Sequence, residues 1–511
     1  MKVAFHTLGC KVNQYDSQAM LELFEAAGYE AGEFDELCDV YVINTCTVTG
    51  TGDKKSMQAI RRAQRKNPAA QIVVCGCMAQ RDGQKLLEAT GARLVLGTAR
   101  RAEVVTLLEQ AVREDTQICA VTDVRRASFE PLLITRHEGR TRATLKIQEG
   151  CDRFCTYCII PYVRGGIRSR AVADVADEAR RLSEAGYREI VLTGIHLTSY
   201  GRDLGDGTTL LSVIRAVHAL PGVERIRLGS LEPVIATADF ARALGELPKV
   251  CPQFHLALQS GCDTVLRRMR RRYDTAAFRE SAAALRAVFP ECALTTDIMS
   301  GFPGETEEEH RQSLAFCREM AFSRMHVFPY SEREGTPAAA MEGAVPKAVR
   351  EERARELIAL GHQMARAYAE SQIGTVRSVL FETVVGDCCV GYTMEYMRCE
   401  CMGFVTGKTY PVLITDYEDE HVLAFRDINP MAPTHVVIIP KRHVQNMNEF
   451  ENLTENEQLA ILHACKKVAE LEGIEVSGYR VVSNCGPDAD QSVQHLHFHV
   501  LGGGKLSARL A

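Results

Sequence analysis

Three cysteines in the segment EGCDRFCTYCIIPYVRG, Cys151, Cys155 and Cys158, constrain this chain more than any other feature. Their Cys-x3-Cys-x2-Cys spacing supplies three thiolates to a cubane iron-sulfur cluster, where the usual ferredoxin arrangement supplies four. One iron of a 4Fe-4S cluster is then free to bind a substrate or cofactor. A zinc knot is the alternative, but zinc sites pair two Cys-x2-Cys units and no second unit follows nearby.

A second set of cysteines lies upstream: Cys10 in HTLGCKVNQYDSQ, Cys46 in VINTCTVT and Cys77 in VVCGCMAQ. Each closes an apolar, strand-like run. Loops at the carboxyl ends of neighbouring parallel strands converge on one crevice, so these distant thiols can meet there and hold a second cluster. The surrounding residues 1 to 125 alternate strands (3–8, 39–44, 72–75) with helices such as YDSQAMLELFEAAG, the pattern of a small doubly wound sheet. After a charged linker, the strand ATLKIQ leads into the first cysteine motif. The segments REIVLTG, ERIRLGS, QFHLALQ, CALTTDIMSG and SRMHVF then continue the β-α alternation, as in an open or partial barrel.

A chain of 511 residues has room for several domains. No segment is long and apolar enough to span a bilayer, and MKVAFHTLG lacks the regions of a signal peptide. Nineteen cysteines without an export signal point to reduced thiols in the cytoplasm. The net charge of -6 is concentrated at one end: from Tyr417 onward there are 8 basic and 13 acidic residues, so RNA is not expected to bind there. Basic runs at 54–66 and in LRRMRRRY (Arg267, Arg268, Arg270, Arg271, Arg272) suit phosphates, with a solvated helix face as the alternative.

The cysteine spacing, with Tyr157 before the third thiol, resembles the radical SAM superfamily. That resemblance implies S-adenosyl-L-methionine on the free iron, reductive cleavage to a 5′-deoxyadenosyl radical and an external electron donor. Two clusters in this order resemble the methylthiotransferases. TLGCKVN is similar to the branch acting on threonylcarbamoyl-adenosine beside the anticodon of tRNA; GCQMN marks an isopentenyl-adenosine branch and GCPKN a ribosomal-protein branch. The family's Gly-Cys pair, here Gly76-Cys77, sets the third upstream ligand at Cys77, with Cys75 as the alternative. By the same resemblance Tyr157, Thr193, Gly194, Glu232, Gln259, Ser260 and Asp297 contact the cofactor; Gly194 as a mere turn residue is the alternative. Gly166-Ile167 departs from the Arg-Glu expected there.

Residues after the helix VPKAVREERARELIALGHQMARAYAESQIG alternate polar and apolar through short strands with glycine turns. They resemble the TRAM domain, a small RNA-binding β-barrel, and Cys399 and Cys401 within it read as structural. The tail places His495, His497 and His499 on a strand, facing one side. With DINPMAPTHVVIIPKRH upstream, it resembles the histidine triad (HIT) nucleotide hydrolases and transferases; a metal site is the alternative. The resemblance makes His497 the nucleophile on an α-phosphate, oriented by His499, His495 and His443, with Ser492 assisting the leaving group. It sets Asp427 and Asn484 toward the nucleotide, and pairing through this domain would give a dimer. Asp490 stands where glycine is usual, and the tail lacks Trp-Pro-Pro.

The expected fold is therefore α/β and multidomain: a doubly wound cluster domain (1–125), a partial TIM-like radical SAM barrel (137–371), a TRAM-like β-barrel (372–416) and an α+β HIT domain (417–511). The expected partners are tRNA, an electron donor and a nucleotide or adenylate. A ribosomal-protein methylthiotransferase, a nucleotide hydrolase on a vestigial radical scaffold and a non-catalytic adenylate-binding tail are the competing readings.

Overall fold

The computed structural model describes residues 1–511 except 49, 138, 386–387, 402, 416–421, 428–429, 492 and 508–511 and the side chains of Arg126 and Asn456. The chain divides into two compact units, Met1–Ile414 and Thr415–Ala511.

The first unit opens with β1 (Lys2–Thr7), α1 (Lys11–Ala26), β2 (Glu30–Gly32), β3 (Val40–Thr45), α2 (Gly50–Lys66), β4 (Gln71–Gly76), α3 (Cys77–Thr90), β5 (Leu94–Leu96), α4 (Val104–Arg113) and β6 (Ile118–Ala120). The strands pair in parallel, in the order β2-β1-β3-β4-β5-β6. Strand residues are apolar at both parities, because both faces are covered. Val40, Val42 and Val73 pack with Met20, Phe24 and Leu108 of α1 and α4. Tyr41, Ile43 and Val74 pack on the other face with Ile60, Met78 and Leu86 of α2 and α3.

A second parallel run follows: β7 (Arg142–Glu149), α5 (Ile160–Arg164), β8 (Arg168–Ser169), α6 (Val172–Glu184), β9 (Glu189–Gly194), α7 (Leu210–His218), β10 (Arg225–Leu228), α8 (Ala238–Gly245), β11 (Gln253–His255), α9 (Asp263–Arg268), α10 (Thr275–Val288), β12 (Ala293–Ser300), α11 (Glu307–Met320), β13 (Arg324–Pro329) and α12 (Lys347–Glu370). One sheet is β10-β9-β7-β8, parallel except for the two-residue β8, which runs antiparallel to β7, and the next is the parallel β11-β12-β13. Parallel bridges Ile226↔Val250 and Leu231↔Leu256 join them into a curved, open barrel. Its outer residues, such as Leu145, Ile190, Ile226, Phe254 and Leu294, form the main core with the helices. The inner residues are polar or charged, among them Lys146, Arg227, His255 and Asp297.

The unit ends in an antiparallel sheet, β16-β15-β14-β17, from β14 (Val376–Val385), β15 (Cys388–Thr393), β16 (Arg398–Cys401) and β17 (Thr409–Leu413). A bulge between Phe381 and Thr383 bends it around Val379, Phe381, Cys389, Cys399 and Ile414. The second unit contains β18 (Val422–Arg426), β19 (Thr434–Pro440), α13 (Glu455–Leu471), β20 (Arg480–Val482) and β21 (Phe498–Gly502). Its antiparallel sheet, β18-β19-β21-β20, has its own core with Ile461, Cys465 and Ala469 of α13.

Candidate active site

The upstream cysteines stand at the carboxyl ends of three adjacent strands: Cys10 caps α1 after β1, Cys46 follows β3, and Cys77 opens α3 after β4. Gly9 has φ +100°, and a Cβ there would lie 2.9 Å from the Cys46 sulfur. The side chain of Asn13 ties two of these loops together, donating to the carbonyls of Leu8 at 2.7 Å and Thr45 at 3.1 Å. Burial pushes the Cys77 thiol up to about 11, and Cys10 and Cys46 add to the rise. Cys75 faces away, into the core shared with α1 and α4, and burial raises it to about 12.

The downstream cysteines occupy the loop between β7 and α5. Gly150 has φ +74°, and a Cβ there would clash with the Gly166 carbonyl, so the residue before Cys151 has to be glycine. The Cys151 N–H donates to the Gly165 carbonyl at 2.9 Å, and the Cys158 N–H to Cys155 at 2.9 Å. Burial foremost raises Cys151 to about 11 and Cys158 to about 12. Tyr157 packs edge-on to Phe302.

Two arginines are aimed at sulfur. Arg164, fully buried, donates from Nε to Cys77 Sγ at 3.2 Å and from Nη1 to Glu149 at 2.7 Å, and also bonds Asn13. Arg271 donates to Cys155 Sγ at 3.1 Å. A buried guanidinium turned toward a neutral thiol is poorly repaid; one turned toward a thiolate is paired. The donor set therefore fits thiolate-held iron-sulfur clusters. Ile159, Val163 and Ile160, at and after the end of the downstream cysteine loop, pack against Cys77 of the upstream group.

The other expected cofactor residues lie at the strand ends. Thr193 and Gly194 close β9, and Gly194 abuts the side chain of Gln148. Glu232 is buried and accepts from Arg153 at 2.8 Å, with Arg271 at 3.1 Å and His196 at 3.1 Å. Burial alone would raise Glu232, but the adjoining His196, Arg271 and Arg153 outweigh it and bring it to about 2. Gln259 takes φ +69°, and Ser260 meets Ser313 at 3.2 Å, turned toward α11. Asp297 faces the lumen, 3.2 Å from His255 Nε2; together with His326 these groups could hold a metal ion.

The sequence reading missed Arg153, Arg164 and His196, and took Arg271 only as one of a run suited to phosphates. In LRRMRRRY the structure separates the residues: Arg267, Arg270 and Arg272 are exposed, Arg268 pairs with Glu309 at 2.8 Å, and Arg271 turns in to Cys155. A charge run carries no sign of which member turns inward.

In the second unit only His499 of the three histidines lies on a strand; His495 and His497 precede β21. They are held instead by Leu496, whose N–H donates to Val444 at 2.8 Å. His497 Nδ1 donates to the His495 carbonyl at 2.7 Å, leaving Nε2 with its lone pair. His495 Nε2 donates to Pro440 at 2.8 Å and His443 Nε2 to Gln494 at 3.0 Å. His435, absent from the sequence reading, joins the group. Its Nδ1 accepts from the Met431 N–H at 3.1 Å, so in the neutral ring Nε2–H donates to His499 Nδ1 at 2.8 Å. Asp427 lies 3.5 Å from His435. Burial, then the rings of His497 and His435, lowers the His499 pKa below the usual imidazole value. Among the described residues of this unit, His435 and His499 with Asp427 have the spacing of a metal site, whereas the alternative metal reading concerned His495, His497 and His499. Asn484 is half-buried, and Ser492 lies outside the described residues. Asp490 has φ +55°, a conformation favouring glycine.

Three family models match the chain: the uncharacterized protein family UPF0004 over residues 2–97, the radical SAM superfamily over 145–317, and the HIT domain over 414–506. The threonylcarbamoyladenosine tRNA methylthiotransferase MtaB of Bacillus subtilis (strain 168) is 45% identical over 402 residues, 78% of this chain and 89% of that protein. MtaB of Thermotoga maritima is 35% identical over 428 residues, 83% of this chain and 96% of that protein. A HIT family hydrolase from Clostridium thermocellum is 47% identical over 19% of this chain and 83% of that chain, with a TM-score of 0.17. Two relatives aligned along nearly their whole lengths, together with the radical SAM match, set the first unit's ancestry, and the HIT match accounts for the tail: the chain belongs to the MtaB family of radical SAM tRNA methylthiotransferases and carries a fused HIT domain.

Proposed function

We propose that this protein adds a methylthio group to carbon 2 of threonylcarbamoyladenosine next to the anticodon of tRNA, in the cytoplasm, using two 4Fe-4S clusters. The observation that carries the reading is the pair of three-cysteine groups, one at adjacent strand ends and one in the β7–α5 loop, each with a buried arginine on a sulfur. Cys151, Cys155 and Cys158 would hold the cluster that binds S-adenosyl-L-methionine, and Cys10, Cys46 and Cys77 the cluster that presents sulfur. When bound, these groups and an external electron donor supply the radical chemistry, sulfur and methyl group. The chain's own residues position and shield them. Arg271 and Arg164 offset thiolate charge, and Glu232 with His196 fixes Arg271. Ile159, Ile160 and Val163 exclude water beside Cys77. Thr193, Gly194, Gln259, Ser260, Asp297 and Tyr157 would line the cofactor's pocket.

The test is mass spectrometry of tRNA nucleosides from cells lacking the protein and supplied with wild type or Cys155→Ala. The expected result is a methylthio group restored by wild type alone. Normal tRNA in the deletion strain, with no second enzyme present, would sink the assignment.

A second activity is favoured by the His497 tautomer: with Nδ1–H bound to the His495 carbonyl, Nε2 is the atom free to attack phosphorus. The HIT domain would thus bind and cleave a nucleotide or adenylate, with Asp427 and Asn484 near the ribose, and would pair as a dimer. Release of AMP from an AMP-amide by wild type, lost in His497→Ala, is the expected outcome; no release from wild type would leave a binding module.

A further inference from the structure

Where the N-terminal domain, the barrel and the small antiparallel sheet meet, they line an open cavity of about 370 Å³. Lys11 enters from the first, Arg140, Arg142 and Thr144 from the second, and Glu382 and Tyr396 from the third. Lys11 is the first residue of α1, immediately after Cys10.

The ion pairing around this cavity is unbalanced. Arg142 binds Glu382 at 2.5 Å and stacks on Tyr392 and Tyr396 at 5.0 and 4.9 Å. Deeper in the lumen Glu189 is taken by Arg227 at 2.6 Å and lies 3.7 Å from Arg225. Both carboxylates are thus committed to arginines. Among the described residues, neither Lys11 nor Arg140 has a carboxylate partner. Lys11 and Arg140 are both exposed, and two such cations lining one pocket favour an anion and disfavour a metal ion. Glu382 and Arg142, locked to each other and to the tyrosines, supply rigidity rather than binding capacity.

We propose that this cavity is the subsite for an anionic substituent of the target base, a carboxylate held by Lys11 and Arg140. The proposal rests on the tRNA reading above, because a threonylcarbamoyl group ends in such a carboxylate and an isopentenyl group does not. Thr144 lies in the same wall as a hydroxyl donor for the substituent's polar atoms. Lys11 and Arg140 act here in selecting the base, not in the reaction at carbon 2.

The experiment compares three anticodon stem-loops that differ only beside the anticodon, carrying threonylcarbamoyladenosine, its primary amide, or plain adenosine. Binding and methylthiolation are measured with cluster-loaded full-length wild type, Lys11→Met, Lys11→Arg and Arg140→Met. Wild type should bind the carboxylate loop about tenfold more tightly than the amide, the loss of one charge-assisted contact. Lys11→Met and Arg140→Met should level the two, and Lys11→Arg should restore the preference. Iron content and absorption spectra of Lys11→Met show whether its neighbour Cys10 is disturbed; if they change, Arg140→Met decides. A wild type indifferent to the carboxylate, or variants that keep the preference, would overturn the subsite while methylthiolation of the carboxylate loop still upheld the tRNA reading. Preference without methylthiolation would uphold the subsite and overturn the reaction. Discrimination lost only on adding a chelator would replace the carboxylate subsite with a metal site.

Discussion

Arg164 has no exposed surface and four polar neighbours, Cys77, Glu149, Asn13 and, at 3.6 Å, Asp16. The guanidinium fork reaches several partners at once, which an ammonium cannot do. Its replacement by methionine leaves Glu149 and Asp16 short of a cation, which costs on the order of 3–5 kcal/mol. We expect Arg164→Met to lower the melting temperature of the first unit and its iron content, and Arg164→Lys to recover only part of each. Iron analysis and calorimetry on the same preparations check this. His137 gives a pH signature. Burial first, then the Arg140 charge, lowers its pKa from 6.5 to about 4, so folding prefers the neutral ring. The unfolded chain binds the proton more readily, so this contribution is complete above pH 6.5 and is lost as pH falls toward 4, by roughly 2–4 kcal/mol in all. His137→Gln should flatten that part of the stability curve measured by denaturant titration between pH 4 and 7. At Asp490 the left-handed backbone and the carboxylate act together. Asp490→Gly removes strain of roughly 1 kcal/mol, and it removes the negative charge from the side where the HIT resemblance expects phosphate. Both the stability of the HIT unit and AMP-amide cleavage should rise; unchanged cleavage would show that Asp490 does not face the phosphate.

Helix α1 shows what the sequence could and could not reveal. Its apolar spacing identifies a helix, and Cys10 at its start stands with Cys46 and Cys77 at adjacent strand ends. Its polar residues gave no warning, since Asn13, Tyr15, Asp16, Ser17 and Gln18 are all buried. The reason is tertiary: α1 lies between its own sheet and the barrel. Asp16 pairs there with Lys146 and Arg101, and Tyr15 donates to the Leu132 carbonyl at 2.8 Å and lies 2.9 Å from Glu178. These partners are more than 80 positions away, where no local periodicity can point. The same limit hid Arg271 among exposed arginines and His435 within an apolar strand, whereas regular β-α spacing made both parallel sheets legible. For the element itself, Tyr15→Phe should cost about 1–2 kcal/mol, as the loss of a buried hydrogen bond to a charged network. Equilibrium unfolding of the first unit measures it, and a cost near zero would mean that α1 is held by its apolar face alone.

At the scale of the whole molecule, two units with separate cores differ in charge balance. The first unit, Met1–Ile414, has 52 basic and 52 acidic residues, with Arg164 and Arg271 turned to sulfur and Lys11 and Arg140 lining the pocket, while the second unit holds an excess of six acidic residues. An acidic tail repels the RNA phosphates that the first unit has to meet, so the fusion gains nothing in tRNA affinity from the HIT domain. If the units are energetically independent, substitutions in one leave the other's transition in place. Calorimetry should then resolve two transitions, with Tyr15→Phe and Arg164→Met lowering one and Asp490→Gly raising the other. A single transition moved by substitutions in both units would mean that the units are coupled, and the HIT domain would then have to be counted as part of the machinery that holds the first unit in its working shape.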